Sequence, residues 1–264
     1  MVAERLSQLL SKDSQRELPI IQGVSLFFRQ SVPHWQHRIC VEKKPFVIAI
    51  AGPSGSGKSY LREALVERLN QFTDVSAFTQ DNYYRDFEAD FPDVPLERFY
   101  HEVDFDDPCH IRFRQLRQDL RRIRSSVIGS VIRIEQFRFG TPSSKPTIIP
   151  GGCPLKVNPF IITEGIHAFY DPTILPLYDL KIYVDVDEKT RKQRWLERNR
   201  RENRGTTDNM WNTTVACLER HILPTRSLAD VIINNQAPKE AVCHFLTEVL
   251  DALVPAKGLG QEIA

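Results

Sequence analysis

Apolar and polar positions along the 264-residue chain fall into short blocks that alternate between two periods. "FVIAIAG" (46–52) is an unbroken apolar run, the pattern of a strand buried on both faces. Residues 58–70 follow with Leu61, Ala64, Leu65 and Leu69 at helical spacing, which predicts a helix with one inner face. "VSAFTQ" reads as a second short strand ending at Asp81, and Ile111, Leu116, Leu120 and Ile123 predict a helix over 109–124. "SVIGSVIRIEQFRF" and "KPTIIP", short β-branched runs punctuated by Gly and Pro, predict a hairpin-like excursion. "PFIITEG" and "LKIYVDVD" add two core strands, 189–204 a strongly basic helix, 209–221 another helix, and "ADVIINN" the strand that closes the sheet. Val242, Phe245, Leu246, Val249 and Leu253 mark a terminal amphipathic helix.

Residues 1–44 read differently. Leu6, Leu9 and Leu10 suit one face of a short helix, and "PIIQGVSLFF" suits a packed strand or docking segment. The expected organisation is an N-terminal extension (1–44), one α/β domain (45–254) and a loose tail (255–264). Strands alternating with helices imply a mostly parallel sheet covered on both faces, a three-layer α/β/α arrangement.

Composition changes this picture little. The hydrophobic fraction of 41% and charged fraction of 26% are ordinary for a soluble globular chain, and the net charge of +1 names no partner. The longest apolar runs fall well short of the roughly 20 residues that span a bilayer. The first residues lack the basic-then-apolar order of a secretion signal. Cys40, Cys109, Cys153, Cys217 and Cys243 are scattered, odd in number and outside any CxxC pair, so a reducing cytoplasm is expected.

Chemistry concentrates first in "AGPSGSGKSY". Gly52, four residues, Gly57, Lys58 and Ser59 make the pattern GxxxxGKS between a buried strand and a helix. Such a loop turns backbone N–H groups toward phosphate oxygens, the helix start adds a positive dipole end, the Lys reaches the terminal phosphates and the Ser can ligate Mg²⁺. The candidate ATP-binding residues are Gly52, Ser54, Gly55, Ser56, Gly57, Lys58, Ser59 and Tyr60. An NKxD base-reading motif is missing, with "VIINNQAPK" only a faint echo, which argues against a GTPase. "FIITEG" ends in Glu164 where a transporter-type ATPase has Asp-Glu after four apolar residues. Small kinases remain, and these need a carboxylate near the acceptor hydroxyl. Asp81 in "FTQDNYYRD" would emerge at the carboxyl edge of the sheet, where ligands of open α/β sheets bind.

"AGPSGSGKS", "TQDNYYRD", "VDFDDP", "IITEGIHAFYDP", "KIYVDVDEKTRKQRWLERN" and "LPTRSLADVII" stand in the order and spacing of the uridine kinase and phosphoribulokinase family. The chain resembles its uridine–cytidine kinase branch over about 45–252. The resemblance implies a P-loop NTPase fold with a substrate hairpin and a helical lid, and phosphoryl transfer from Mg²⁺–ATP to a small-molecule hydroxyl. It implies that Asp81 orients or deprotonates the acceptor, that Asp106 in "FDDP" holds sugar hydroxyls, and that Glu164 organises Mg²⁺ together with Ser59 and Asp81. Arg198 and Arg204 fall where the family's lid arginines approach the transferring phosphoryl. Tyr84, Phe137, Arg138 and His101 are the further candidate substrate contacts. Self-association is a family expectation, and no membrane partner is expected.

The acceptor side departs from the pattern. Where the family reads base and ribose with a Tyr-Asp-Phe stretch followed by His, this chain has "FRFGTPSSK": Phe137, Arg138, Phe139 and then Pro142. Trp195 stands in place of a substrate arginine. A pocket without its polar reader discriminates weakly, so another small hydroxylated metabolite, a sugar phosphate, pantothenate-like or glycerate-like acceptor, is the alternative. Arg138 would suit an anionic one, or simply face solvent. The arginines of "RFRQLRQDLRRIR" raise a polynucleotide 5′-hydroxyl kinase, but they scatter around the helix without an aromatic ladder. A non-catalytic ATP-binding regulator would have little need of Asp81. "HWQHRIC" has metal-like spacing for His34, His37 and Cys40 but lacks a fourth ligand nearby, so surface or packing histidines are expected there. His167 is expected as a packed histidine.

Overall fold

The computed structural model describes residues 20–22, 37–141, 143–201 and 208–235. Its centre is a six-stranded sheet: β1 (Ile20–Gln22), β2 (Phe46–Ala51), β3 (Val75–Thr79), β8 (Phe160–Glu164), β9 (Leu180–Asp185) and β10 (Val231–Asn234), in the order β1-β10-β9-β2-β8-β3. Five strands run parallel, and β1 pairs antiparallel with β10. β10 was expected to close the sheet; instead the segment 20–22 caps it with a further strand. Residues 1–19 and 23–36 of the extension and the terminal amphipathic helix lie outside the described residues.

β2 is buried at every position, and its two faces feed two cores. Phe46, Ile48 and Ile50 meet Leu61, Leu65 and Leu69 of α1 (Lys58–Leu69). Val47, Ala49 and Ala51 join the core that holds Leu116, Leu120 and Ile123 of α4 (Phe113–Ser125). The three-layer arrangement therefore follows from the period-two alternation of one central strand. α4 begins later than the apolar spacing predicts. The Asp107 carboxylate accepts from Cys109 N–H at 2.8 Å, and Pro108 starts a separate 3₁₀ turn, Pro108–His110. Ile111 is buried, but through an isolated bridge to Tyr84.

Two short helices, α2 (Phe87–Asp90) and α3 (Leu96–Glu102), follow β3. The excursion between α4 and β8 is nested: β4 (Val131–Ile134) pairs with β7 (Cys153–Lys156), and inside it β5 (Phe137–Arg138) pairs with β6 (Thr147–Ile148). Two further helices come after β9. α5 (Glu188–Arg201) is the basic one, and α6 (Asp208–Cys217) is shorter than expected because a wider π-type turn over Leu218–Ile222 takes over. The packed unit reaches back to residue 37. Ile39 is fully buried in the α1-side core, and Arg38 donates to the Pro45 carbonyl at 2.7 Å. Arg38 also approaches Asp179, a buried carboxylate that Val47 N–H and Arg124 satisfy at 2.8 Å each. Among the described residues no helix is long and apolar enough to cross a membrane.

Candidate active site

Register brings the chemistry together. Glu164, the last residue of β8, is opposite Ile50 on one side and Thr79 on the other. The loop after β2, the turn after β3 and the end of β8 therefore emerge side by side at the carboxyl edge of the sheet.

The loop from Gly52 to Ser59 is shaped by glycines at positive φ: Gly52 at 144°, Gly55 at 83° and Gly57 at 95°. A Cβ at Gly52 would sit 2.5 Å from the Val184 carbonyl oxygen, and one at Gly55 would sit 2.8 Å from that of Arg191. Backbone thus presses against the outside of the loop and leaves only glycine there. Lys58 is buried and donates to the Pro53 carbonyl at 2.9 Å across the loop. Burial lowers the pKa of its ammonium, while Glu164 and Asp81 oppose that shift. The loop is pinned from behind, where Asn235 Nδ2 donates to the Ser56 carbonyl at 2.6 Å and Arg194 reaches the same oxygen at 3.4 Å. The buried Ser56 hydroxyl has no partner among the described residues. A glycine-walled cradle with an unsatisfied buried donor and a cation fits a polyphosphate.

Three carboxylates face this loop. Asp81 lies in a 3₁₀ turn, Gln80–Tyr83, whose entry is capped by Thr79 Oγ1 accepting from Asp81 N–H at 3.2 Å. Burial, then the Glu164 charge, pushes its carboxyl up to about 7, against the pull of Lys58 and Arg198. Glu164 accepts from Ser59 Oγ at 3.3 Å and from Arg62 at 3.4 Å. Asp106, in the turn after α3, is likewise raised by burial, and Arg198, a hydrogen bond from Thr214 and Lys58 offset part of that shift.

From above, α5 lies along the phosphate loop. Arg198 donates to Ser54 Oγ at 3.1 Å, and Arg194 donates to the Asn235 carbonyl at 2.9 Å. Arg191 is buried, its guanidinium 4.4 Å from the centre of the Trp211 ring. Trp195 packs on Trp211 with ring centres 5.5 Å apart, so it holds α5 to α6. Arg200 and Arg201 are exposed.

The profile of the phosphoribulokinase / uridine kinase family matches residues 47–242. The chain belongs to the phosphoribulokinase / uridine kinase family. Uridine kinase of Lactobacillus helveticus is 29% identical over 218 residues, 80% of this chain and 97% of that protein. Uridine kinase of Borrelia duttonii is 31% identical over 79% of this chain and 95% of its own length. Uridine kinase-like protein 3 of Arabidopsis thaliana is 32% identical over 72% of this chain, which spans only 39% of that longer protein. The fold is also that of a D-glycerate 3-kinase from Cryptococcus neoformans, with a TM-score of 0.50, 11% identity, and coverage of 90% of this chain and 95% of that one.

Within this family member the residues singled out from the sequence fall into two groups. Gly52, Ser54, Gly55, Ser56, Gly57, Lys58, Ser59, Asp81, Asp106, Glu164 and Arg198 gather around one cleft, with Tyr60 half-buried on the first turn of α1. The other substrate candidates form its wall or lie apart. Tyr84 is buried and donates its hydroxyl to the Phe105 carbonyl at 2.9 Å. Phe137 is buried 5.4 Å from the Tyr84 ring, and Arg138 is exposed on the β5–β6 hairpin. Arg204, Pro142 and the side chain of His101 lie outside what the structure describes. Sequence reasoning missed Arg62, Arg194, Thr214 and Asn235. Arg62 was findable, standing one helical turn beyond Ser59, and Asn235 directly follows a strand at the ligand edge.

Proposed function

We propose that this chain is an ATP-dependent kinase that phosphorylates a nucleoside of the uridine or cytidine kind at its 5′-hydroxyl. The observation that carries this reading is the placing of Asp81, on the turn after β3, beside Lys58 and Glu164 at the mouth of a phosphate cradle, where burial pushes its carboxyl up to about 7. A base poised there can take the hydroxyl proton as the acceptor oxygen forms its bond to the terminal phosphorus. The bond from that phosphorus to the bridging oxygen breaks, and ADP leaves. In this scheme Lys58 and Arg198 spread the charge of the transferring group, and Asp106 accepts hydrogen bonds from neighbouring acceptor hydroxyls. Magnesium suits the oxygen donors Ser59 and Glu164, with Asp81 nearby, and when bound it would neutralise phosphate charge. Catalysis is assigned to residues 45–254, and the compartment to the cytoplasm, in keeping with the cysteines among the described residues, Cys40, Cys109, Cys153 and Cys217, none of which is in a disulfide.

The packing of the acceptor wall also favours a second reading. Tyr84 already donates its hydroxyl to the chain and Phe137 is packed among rings, so base recognition would rest on shape more than on polar contacts. Another small hydroxylated metabolite would then be the acceptor. The partly buried Asp106 carboxylate on this side weighs toward an uncharged one. ADP release from Mg²⁺–ATP, measured over uridine, cytidine, nicotinamide riboside, ribulose 5-phosphate, pantothenate, glycerate and a 5′-hydroxyl oligonucleotide, separates the readings. Asp81→Asn run alongside should lower kcat at least about 100-fold with ATP affinity retained. An active Asp81→Asn enzyme would sink the assignment of the base.

A further inference from the structure

Two carboxylates assigned to the acceptor, Asp81 and Asp106, come from different turns of the chain, and one residue joins those turns through its backbone on one side and its ring on the other. His167 follows β8 and is 1% exposed. Its backbone N–H donates at 2.9 Å to Oε1 of Gln80, the buried neighbour of Asp81. Its ring Nε2 stands 2.5 Å from the carbonyl oxygen of Asp106. A carbonyl only accepts, so the ring proton is on Nε2. Burial lowers the imidazole pKa to about 4, which keeps the ring neutral near physiological pH with that proton as its donor.

The rest of the Asp106 residue is held as well. Cys217 Sγ donates to the same carbonyl at 2.7 Å, Asp106 N–H donates to Asp104 Oδ1 at 3.0 Å, and Thr214, one turn before Cys217 on α6, bonds the carboxyl. Gly165 makes the arrangement possible, since a Cβ there would lie 2.8 Å from the Gln80 amide carbon and run into the rest of that side chain. The segment Glu164–Gly165–Ile166–His167 thus carries a carboxylate at the phosphate end, a gap for Gln80 and a strut to Asp106.

We propose that His167 is a positioning residue for phosphoryl transfer: with its backbone anchored to Gln80, its ring holds the Asp106 carbonyl and so fixes the separation between the carboxylate that takes the acceptor proton and the one that holds the neighbouring hydroxyls. This rests on the reading of Asp106 as an acceptor ligand. A packing role alone would need only the volume of the ring beside Tyr170, which leucine supplies nearly as well.

The test compares His167→Leu, His167→Gln, Thr214→Val and Asp106→Asn by steady-state kinetics, with the acceptor that turns over best in the panel, and by binding of a non-hydrolysable ATP analogue. His167→Leu should raise the acceptor KM about tenfold or more and lower kcat, with ATP-analogue affinity within about twofold. His167→Gln, which returns an N–H near the Nε2 position, should recover most of the loss, and Thr214→Val should raise the acceptor KM alone. Wild-type acceptor kinetics in His167→Leu, or a loss shared equally by acceptor and ATP that Gln does not rescue, overturns the proposal. If the Leu variant does not fold, His167→Asn replaces it, with its N–H near the Nδ1 position; Asn and Gln variants of equal activity then overturn it. Asp106→Asn separates the two layers. An unchanged acceptor KM there removes the reading of Asp106 itself, whereas a raised one beside normal His167 variants removes only the strut.

Discussion

At Asp81, burial and the nearby Glu164 charge act against Lys58 and Arg198, and the first pair dominates. The consequence for activity is that kcat/KM should rise with pH through about 7 and level off above it, and Asp81→Asn should abolish that limb. Stability should move the opposite way. A carboxyl whose folded pKa is raised above its unfolded value of 3.8 holds its proton longer in the folded state, so its contribution is full below that value and is lost as pH climbs through about 7. Asp81→Asn should therefore melt at a higher temperature than the parent at pH 8, with the gap narrowing toward pH 5; a constant gap would argue against the burial cost. Asp81, Lys58 and Ser59 were legible because strand, loop and helix signals framed them. Thr214 was not, because a threonine inside a helix carries no local sign of the aspartate it meets.

At the level of elements, the proposed acceptor wall is an aromatic assembly centred on Phe87 of α2. Its ring is fully buried and lies 5.2 to 6.3 Å from Tyr84, Phe91, Phe99, Phe105, His110 and Phe137. It joins α2, α3, the turn containing Asp106 and the inner hairpin, all of which border the acceptor side. Phe87→Ala should cost about 3–5 kcal/mol in unfolding experiments and raise the acceptor KM while sparing ATP binding. Loss of ATP affinity in equal measure would mean that the wall and the phosphate loop form one cooperative unit. The four-residue helix at its centre was invisible in the pattern, since "FEAD" is too short to show a period. The late start of α4 has a similar cause. A capping aspartate followed by proline breaks an apolar spacing that would otherwise continue through Cys109.

On the scale of the whole molecule, β1 covers the outer edge of a parallel sheet that would otherwise end at β10. Unpaired strand edges template association between chains. Deleting residues 1–36, while keeping Arg38 and Ile39 in place, should leave kcat and acceptor KM within about twofold but give concentration-dependent association by light scattering. A truncated protein that associates no more than the parent at high concentration would show that the β10 edge is protected by other means.

The sequence by itself determined the five parallel strands, the three-layer arrangement, the glycine-rich loop and the family, because these depend on local periodicity and on residue types at fixed short spacing. β2 must be buried on both faces, and glycines at 52, 55 and 57 must admit positive φ. Only the tertiary structure decided which side chains meet across the cleft. The register of β2, β8 and β3 sets Glu164 beside the phosphate loop and Asp81, Trp195 turns out to lock α5 onto α6, and His167 ties the Asp81 turn to Asp106. Each of those contacts joins residues far apart in the chain, so the free energy that forms them comes from packing the whole sheet and leaves no mark in any short window of sequence.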